Sequence, residues 1–239
     1  MSLLDWQGAW QAVIGHPLFG VGITLASYQL ACLAYERTRW VFLQPVLVSM
    51  VLVIAVLLLC GIEYADYRRA SELLTVLLGP ATVALAVPLF LNMRRIRELF
   101  WPTVLTLVLA GSVATALGVL FAWLMGAEPL IVTTLAPKSV TSPIAMLVAE
   151  QLGGVAALAA VFVMLTGVLG AIIGPELLRR CRVQHPAARG MALGLTAHAV
   201  GTAQALQEGD ECGAFAALAM SLMGVMTAVF LPLAVSLFF

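Results

Sequence analysis

The chain has 239 residues, of which 62% are hydrophobic and 10% are charged. A soluble domain is nearer half apolar, with about a quarter of its residues charged. The composition therefore predicts an all-α integral membrane protein, because the apolar segments have the ~20 residues that a helix needs to cross a bilayer. The formal net charge of +0 gives no support for nucleic-acid binding.

The N-terminal residues 1–16 predict a short interfacial segment. Trp6 and Trp10 stand among apolar residues there, and the stretch lacks the basic region of a signal peptide. Plain apolar segments follow at 17–36 and 45–62. Both have the length and composition of spanning helices.

The next part of the chain predicts an interrupted span. Residues 63–72 alternate charge with tyrosine and indicate a second interfacial element. Residues 73–92 are apolar again but contain Pro80 and Pro88, so we expect this segment to be broken or kinked near its middle. A plain spanning helix is expected at 102–125.

Residues 130–152 predict a re-entrant hairpin. The run from Ala136 to Pro143 places several hydroxyls and the chain's only lysine, Lys138, between two prolines, with apolar residues after them. Unpaired backbone groups cannot face lipid, so an unwound link at this depth must be buried in protein or line a wet cavity. We therefore expect a cavity at this link.

The C-terminal part repeats the alternation of plain and broken segments. Plain helices are expected at 155–174 and 213–238. Between them, residues 190–207 are rich in small residues and contain His198, so we expect a second interrupted segment there.

Clusters of basic residues at 37–39, 94–97 and 179–189 predict the path through the membrane, because the positive-inside rule places them on the cytoplasmic side. With a hairpin that enters and leaves on one side, the segment at 190–207 runs outward and the last helix runs inward. Residues 17–128 and 129–239 then form two repeats of opposite orientation. Inverted repeats with broken helices near the midplane are typical of secondary transporters, which bind substrate at the breaks.

The breaks carry the candidate binding residues. Half-helix N-termini suit a carboxylate, and Lys138 is either its cationic partner or an interfacial anchor. His198 has two interpretations. It binds substrate or carries a coupled proton, or it is a neutral histidine packed in the protein. Glu150 is a second proton-coupling candidate or a solvated helix end. The other candidates are hydroxyls that either bind the ligand or satisfy the broken helix ends: Thr82, Ser139, Thr141, Ser142, Thr196 and Thr202.

No sequence pattern indicates an enzyme, a cofactor or a metal. A phosphate-binding loop and a dinucleotide-binding glycine motif are absent from the sequence, and the four cysteines lack metal-ligand spacing. The expected contacts are membrane lipid, a small substrate and further copies of the same chain in a homo-oligomer.

Three blocks of sequence resemble the LrgB/CidB family of bacterial membrane proteins, whose plant relative is the plastidial glycolate/glycerate translocator. The blocks are residues 78–88, residues 136–146, and residues 188–190 with 198–203. The resemblance extends from about residue 20 to residue 238. Where the family tends to read Gly-Thr-Ala-Ser-His-Ala, this chain reads Gly-Leu-Thr-Ala-His-Ala, so one hydroxyl has moved and another is lost.

The resemblance implies one of two functions. The first is secondary transport of small 2-hydroxy or 2-keto monocarboxylates such as glycolate, glycerate, lactate or pyruvate, which we expect to be proton-coupled. The second is a holin/antiholin-like regulation of murein hydrolase export and cell lysis. The resemblance also implies a multi-pass location in the bacterial cytoplasmic membrane and a small membrane partner of the LrgA/CidA type. The broken helices with polar groups favour the carrier, because a protein that only forms lesions does not need them.

Overall fold

The computed structural model describes residues 6–38, 40, 43–84 and 86–238, without the side chains of Trp6, Gln7, Ala9, Pro17, Leu78, Ala81, Thr82 and Phe238. The described residues are helical almost throughout, which confirms the predicted all-α class. The chain divides into two compact units, Met1–Ala84 and Leu85–Phe239.

The first unit contains α1 (Trp6–Ile14), α2 (Pro17–Thr38), α3 (Pro45–Cys60), α4 (Tyr64–Ala70) and α5 (Glu72–Ala84). The axes of α3 and α4 are bent by 120°. The bend follows Gly61, whose φ of 63° is left-handed and costs glycine little. A small core forms here around Val53 and Leu57, and the hydroxyls of Thr24 and Tyr67 lie 2.8 Å apart.

Helical backbone is described on both sides of the middle of the third apolar segment. Helix α5 continues through Pro80 to Ala84, and α6 (Ala86–Leu91) begins two residues later. Leu85, between these two helices, lies outside the described residues, so the predicted break or kink of this segment stays a prediction.

The second unit holds α6 and seven further helices: α7 (Met93–Glu98), α8 (Phe100–Leu124), α9 (Pro129–Leu135), α10 (Ser142–Gln151), α11 (Ala156–Arg180), α12 (Pro186–Glu208) and α13 (Asp210–Phe238). Four helices of the described chain, α2, α8, α11 and α13, are long and apolar enough to cross a membrane. The bent pair α3 and α4 makes a fifth if it counts as one span. These lengths agree with the predicted multi-pass arrangement.

Helix α12 folds back on itself at His198. The residue has φ 42° and ψ −127°, far from helical values. Arg189 near the start of α12 and Glu208 at its end form an ion pair with 2.7 Å between Nε and Oε2. In a straight helix their Cα atoms would be about 28 Å apart, at about 1.5 Å per residue. The contact therefore requires two arms, residues 186–197 and 199–208, that lie side by side.

The first arm of α12 runs parallel to α13. Gly190 packs directly on the carbonyl oxygen of Cys212, and Gly194 packs on the carbonyl oxygen of Ala216. Residues four apart in the arm thus contact residues four apart in α13, in the same chain order. The glycines allow this backbone contact because a side chain at either position would overlap the carbonyl.

The second arm of α12 runs antiparallel to α13. Leu206 packs on Gly213 near the start of α13, whereas Thr202 Oγ1 lies 3.7 Å from the Met220 sulfur further along it. Residues earlier in this arm therefore contact residues later in α13. The two arms have opposite directions, so α12 is a helical hairpin.

This hairpin corrects the predicted path of the chain. The segment at 190–207 does not cross the membrane outward, because it returns to the side on which it starts. Helix α11 lies antiparallel to the first arm, with Gly174 beside Leu193 and Gly170 beside Ala197. Since α13 is parallel to that arm, α13 runs opposite to α11, and the predicted inward direction of the last helix is wrong. The sequence did not reveal this because a segment of this length also suits a span.

Helix α8 begins on the same side of the second unit as α13. Arg95, shortly before α8, donates to Glu211 in the first turn of α13, with 3.2 Å between Nε and Oε1. Further along both helices, Gly111 packs on the Met223 sulfur. Helices α8 and α13 are therefore parallel, and α11 is antiparallel to both.

The second unit thus contains two pairs, each made of a spanning helix and the hairpin that follows it, and the two pairs run in opposite directions. In one pair α8 precedes α9 and α10, which form the hairpin predicted at 130–152. In the other pair α11 precedes the α12 hairpin. The hairpins enter from opposite sides, because each starts where its spanning helix ends. The division into a segment at 1–16 and repeats at 17–128 and 129–239 stays a prediction.

Cysteine crosslinking tests the α12 hairpin. In a protein whose native cysteines are replaced, Arg189→Cys with Glu208→Cys is expected to give a high yield of intramolecular product with a short thiol crosslinker, because the two side chains touch. The control pair is Trp101→Cys with Leu120→Cys, which has the same sequence separation on the continuous helix α8 and exposed side chains. Mass spectrometry of the crosslinked peptides measures both yields, and equal yields would contradict the hairpin.

Candidate functional site

The link between α9 and α10 is a compact turn buried in protein. Pro129 starts α9, Pro143 stands in the first turn of α10, and neither position needs a backbone donor. Between the helices, Pro137, Ser139 and Val140 are buried. The unwound backbone is therefore shielded from lipid, as the membrane requires.

Lys138 lies at the tip of this hairpin and packs against α8. Its Nζ donates to the Ser139 hydroxyl at 3.2 Å and to the Ala114 carbonyl at 3.4 Å. Its side chain lies over Gly118, where a Cβ would come within 2.6 Å of Lys138 Cε. Every ion pair among the described residues uses an arginine, so Lys138 has no carboxylate partner in that part of the chain.

The N-terminus of α10 lies beside Lys138 in the sequence and has free polar groups. Thr141 is the N-cap residue, but its side chain makes no capping hydrogen bond. Within the described residues, the hydroxyls of Thr141 and Ser142 form no hydrogen bond, and both residues are partly accessible. A helix N-terminus with uncapped N–H groups favours an anion.

His198 lies at the tip of the α12 hairpin and packs against α11. It is 3% exposed, and its Nε2 lies 2.9 Å from the Val163 carbonyl. Because a carbonyl only accepts, Nε2 carries the proton in this hydrogen bond. The carbonyl of His198 in turn accepts from Thr202 Oγ1 at 2.9 Å. These bonds hold a residue whose positive φ is strained for a side chain other than glycine.

The two hairpin tips lie at similar depth. Ala114 precedes the end of α8 at Leu124 by about 15 Å, and Val163 follows the start of α11 by about 10 Å, at about 1.5 Å per residue. These helix ends lie on the same side, because the α9–α10 hairpin joins them. One apolar core contains Val140, two residues after Lys138, together with Val163 of α11 and Leu195 in the first arm of α12. The second unit therefore brings the breaks at 137–143 and 195–202 to one region.

Two predicted site residues are exposed, and for a third the structure describes no side chain. Thr196 is exposed and donates to the Ala192 carbonyl of its own helix at 2.6 Å. Glu150 is exposed near the end of α10. Thr82 belongs to α5 of the first unit, and its side chain lies outside the described residues. The structure therefore groups Lys138, Ser139, Thr141 and Ser142 on one tip, with His198 and Thr202 on the other.

Thr134 is a structural residue of the hairpin that the sequence did not single out. It is fully buried, donates to the Leu130 carbonyl at 2.6 Å and accepts from the Val155 backbone N–H at 3.0 Å. Its hydroxyl thereby ties α9 to the start of α11. Gly118 and Gly167 were missed as well, because a glycine within a plain spanning helix looks like an ordinary packing residue.

A cavity of about 960 Å³ opens beside the hairpin, but neither tip side chain lines it. It lies between α8, α9 and α13, and its walls are mainly apolar, with Trp123, Met223 and Phe230 among them. Such a surface suits an acyl chain better than a carboxylate. The cavity expected at the link is therefore not the place where the candidate polar groups meet.

Charged residues gather at the base of the α12 hairpin. Arg95 donates to Glu98 and Glu211, each at 3.2 Å, and to His185 at 3.1 Å. Hydrogen bonds from Arg95 and then Arg94 lower the pKa of Glu98 below its ordinary value. The concentration of arginines on this side assigns it to the cytoplasm.

The spanning helices and the two opposed hairpins define a multi-pass membrane protein with re-entrant segments. The model of the LrgB-like family matches residues 24–237, and the chain belongs to that family. It is a multi-pass bacterial membrane protein.

The chain is similar to several curated bacterial proteins over nearly its whole length. It is 35% identical to YwbG and 34% identical to YxaC of Bacillus subtilis strain 168, covering 90% of this chain in both cases and 95% and 94% of the relatives. It is 30% identical to the antiholin-like protein LrgB of Bacillus cereus strain B4264, over 91% of this chain and 95% of that protein. No solved structure matches the chain.

Removing the Thr134 hydroxyl is expected to destabilise the hairpin. Thr134→Val leaves the Val155 N–H without its acceptor, which should lower the free energy of unfolding by about 1–3 kcal/mol. The matched control is Thr133→Val, because Thr133 bonds only to carbonyls of its own helix. Denaturant unfolding of the purified proteins in detergent measures the difference. Equal stability of the two variants would contradict the role assigned to Thr134.

Proposed function

We propose that this protein is a secondary transporter of small 2-hydroxy or 2-keto monocarboxylates. Lys138 and the N-terminus of α10 hold the carboxylate, and the hydroxyls of Ser139, Thr141 and Ser142 bind its oxygens. The substrate class follows from the family resemblance, whereas the assignment of the residues follows from the geometry of the hairpin tip.

The observation that carries the proposal is a lysine without a carboxylate partner in the part of the chain that the structure describes. Lys138 is partly buried at the tip of a re-entrant hairpin, and only neutral oxygens lie within hydrogen-bond distance of its Nζ among the described residues. An ammonium group taken out of water without a counter-ion is costly. An anionic ligand offsets that cost, and the unbonded hydroxyls of Thr141 and Ser142 are in the same turn to receive it.

The second tip supplies the candidates for coupling. His198 donates to the carbonyl of Val163, a residue of the core that also contains Val140 of the other hairpin, and Thr202 donates to the His198 carbonyl. His198 is the ionisable group that we assign to a coupled proton. Glu150 is the weaker candidate, because it is exposed at the end of α10. Opening one hairpin at a time exposes the tips to one side of the membrane and then to the other, which is alternating access.

A second function, the regulation of murein hydrolase export and lysis, is favoured by the names of relatives. The curated Bacillus cereus relative is called antiholin-like protein LrgB, and this name supports the second function more directly than it supports a carrier. In this function the protein acts through oligomerisation and a small LrgA/CidA-type membrane partner. A metabolite site is then not required.

Uptake into proteoliposomes tests the carrier. The purified protein is expected to take up labelled glycolate, glycerate, lactate or pyruvate in a saturable manner, with competition among the acids and stimulation by an inward proton gradient. Lys138→Met should lower uptake at least about tenfold, because the loss of a charged hydrogen bond of about 1.5–3 kcal/mol changes an equilibrium by that order. The matched control is Arg94→Gln, which removes an exposed cation far from the tip.

The two functions give different outcomes in this assay. Saturable uptake that is lost in Lys138→Met and kept in Arg94→Gln supports the carrier. Absence of uptake from vesicles that contain folded protein, both alone and with the small partner reconstituted, would contradict the carrier and leave the antiholin-like function. Uptake that Lys138→Met does not change would remove Lys138 from the site.

A further inference from the structure

The two hairpin tips contact their spanning helices in the same way. Lys138 Nζ donates to the carbonyl of Ala114, and the lysine side chain lies over Gly118, four residues later on α8. His198 Nε2 donates to the carbonyl of Val163, and the ring lies over Gly167, again four residues later on α11. In both cases a basic side chain of the tip binds a helix carbonyl beside a glycine.

The glycines make these contacts possible. Residues four apart lie on one face of a helix, so a side chain at the later position would cover the carbonyl of the earlier one. A Cβ on Gly118 would lie 2.6 Å from Lys138 Cε, and a Cβ on Gly167 would lie 2.5 Å from His198 Cε1. Neither side chain can keep its place if the glycine gains a methyl group.

We propose that Gly118 and Gly167 are positioning residues that leave room for the basic side chains of the two hairpin tips. We call each glycine, together with the carbonyl four residues before it, a seat. The two seats hold the hairpins closed independently of each other. The seat at Gly118 closes the hairpin that enters from the outer side. The seat at Gly167 closes the hairpin that enters from the cytoplasmic side. The idea that an open hairpin exposes a substrate site rests on the proposed function, but the seats themselves do not.

The independence of the seats follows from the inverted arrangement. Each tip is held by the spanning helix that directly precedes it, so the two contacts share no residue. Lys138 reaches its carbonyl with a flexible chain, whereas His198 uses a rigid ring on a strained backbone. A change at one glycine should therefore loosen one hairpin and leave the other closed.

Labelling from one side of the membrane tests the proposal. In protein without native cysteines, Ser139→Cys reports on the outer hairpin and Thr202→Cys on the cytoplasmic hairpin, since both positions are buried. A membrane-impermeant maleimide is applied to either face of oriented vesicles. Gly118→Ala should speed labelling at position 139 from the outer face about five- to thirtyfold, and Gly167→Ala should do the same at position 202 from the cytoplasmic face.

The control is Gly22→Ala, because an added Cβ at Gly22 meets nothing within 4 Å. Lys138→Met and His198→Asn remove the seated groups without adding volume to the helices. They should give the same sided increases, which keeps the test valid if an alanine variant fails to insert. The proposal is overturned if either glycine variant speeds both reporters alike, if neither exceeds Gly22→Ala, or if the reporters are labelled from the wrong face.

The labelling result is independent of transport. Sided labelling in vesicles that show no uptake, both alone and with the small partner reconstituted, would support the seats and contradict the carrier. Saturable uptake with labelling that is not sided would support the carrier and overturn the seats.

Discussion

Backbone groups at mid-membrane must find partners inside the protein, and the rest of the second unit depends on this constraint. A hairpin that turns within the bilayer interrupts its own ladder of hydrogen bonds. At the α12 turn a side chain satisfies such a group, because Thr202 Oγ1 donates to the His198 carbonyl. Within the described residues, no buried side-chain nitrogen or oxygen lacks a partner. Polar residues near the turns therefore use their hydrogen-bonding groups within the protein, and this structural role competes with ligand binding.

Close packing of small residues gives these hairpins their position. In hydrocarbon there is little hydrophobic gain when one helix approaches another, so contact depends on shape and on close approach. Gly190 and Gly194 bring the first arm of α12 onto the carbonyls of α13, and Gly201 lies against the Leu193 carbonyl across the turn. The ion pair of Arg189 and Glu208, with both side chains about one-fifth exposed, then closes the base of the hairpin. The hairpin is thus fixed at its tip, along its arms and at its base.

The sequence predicted the spans at α2, α8, α11 and α13 and one hairpin well, because their determinants are local. Apolar length identifies a spanning helix, and two prolines around Lys138 interrupt a helix wherever they stand. The fold of α12 depends instead on a contact between Arg189 and Glu208 and on backbone packing against α13, which no short window of sequence contains. His198 was recognised as unusual, but its positive φ was not, because a positive φ is uncommon for any residue other than glycine.

The candidate site shows the same division between local and distant information. Lys138 stands out as the sole lysine in a polar run, so composition alone identifies it. Its lack of an ion-pair partner among the described residues is a property of the folded chain, because the positions of acidic residues distant in the sequence decide it. Gly118 and Gly167 become meaningful only once the tips are seen against α8 and α11.

The two hairpins are held unequally, and this bears on how such a protein opens. The cytoplasmic hairpin combines a hydrogen bond from a rigid ring with an ion pair at its base. The outer hairpin has a longer hydrogen bond from a flexible lysine and a neutral hydroxyl contact near its base. Hydrogen bonds weaken as they lengthen, and flexible side chains lose more entropy when they are fixed. In the proposed carrier, these contacts favour an outer hairpin that opens more readily than the cytoplasmic one, with Lys138 as the group that an arriving anion would draw away from Ala114.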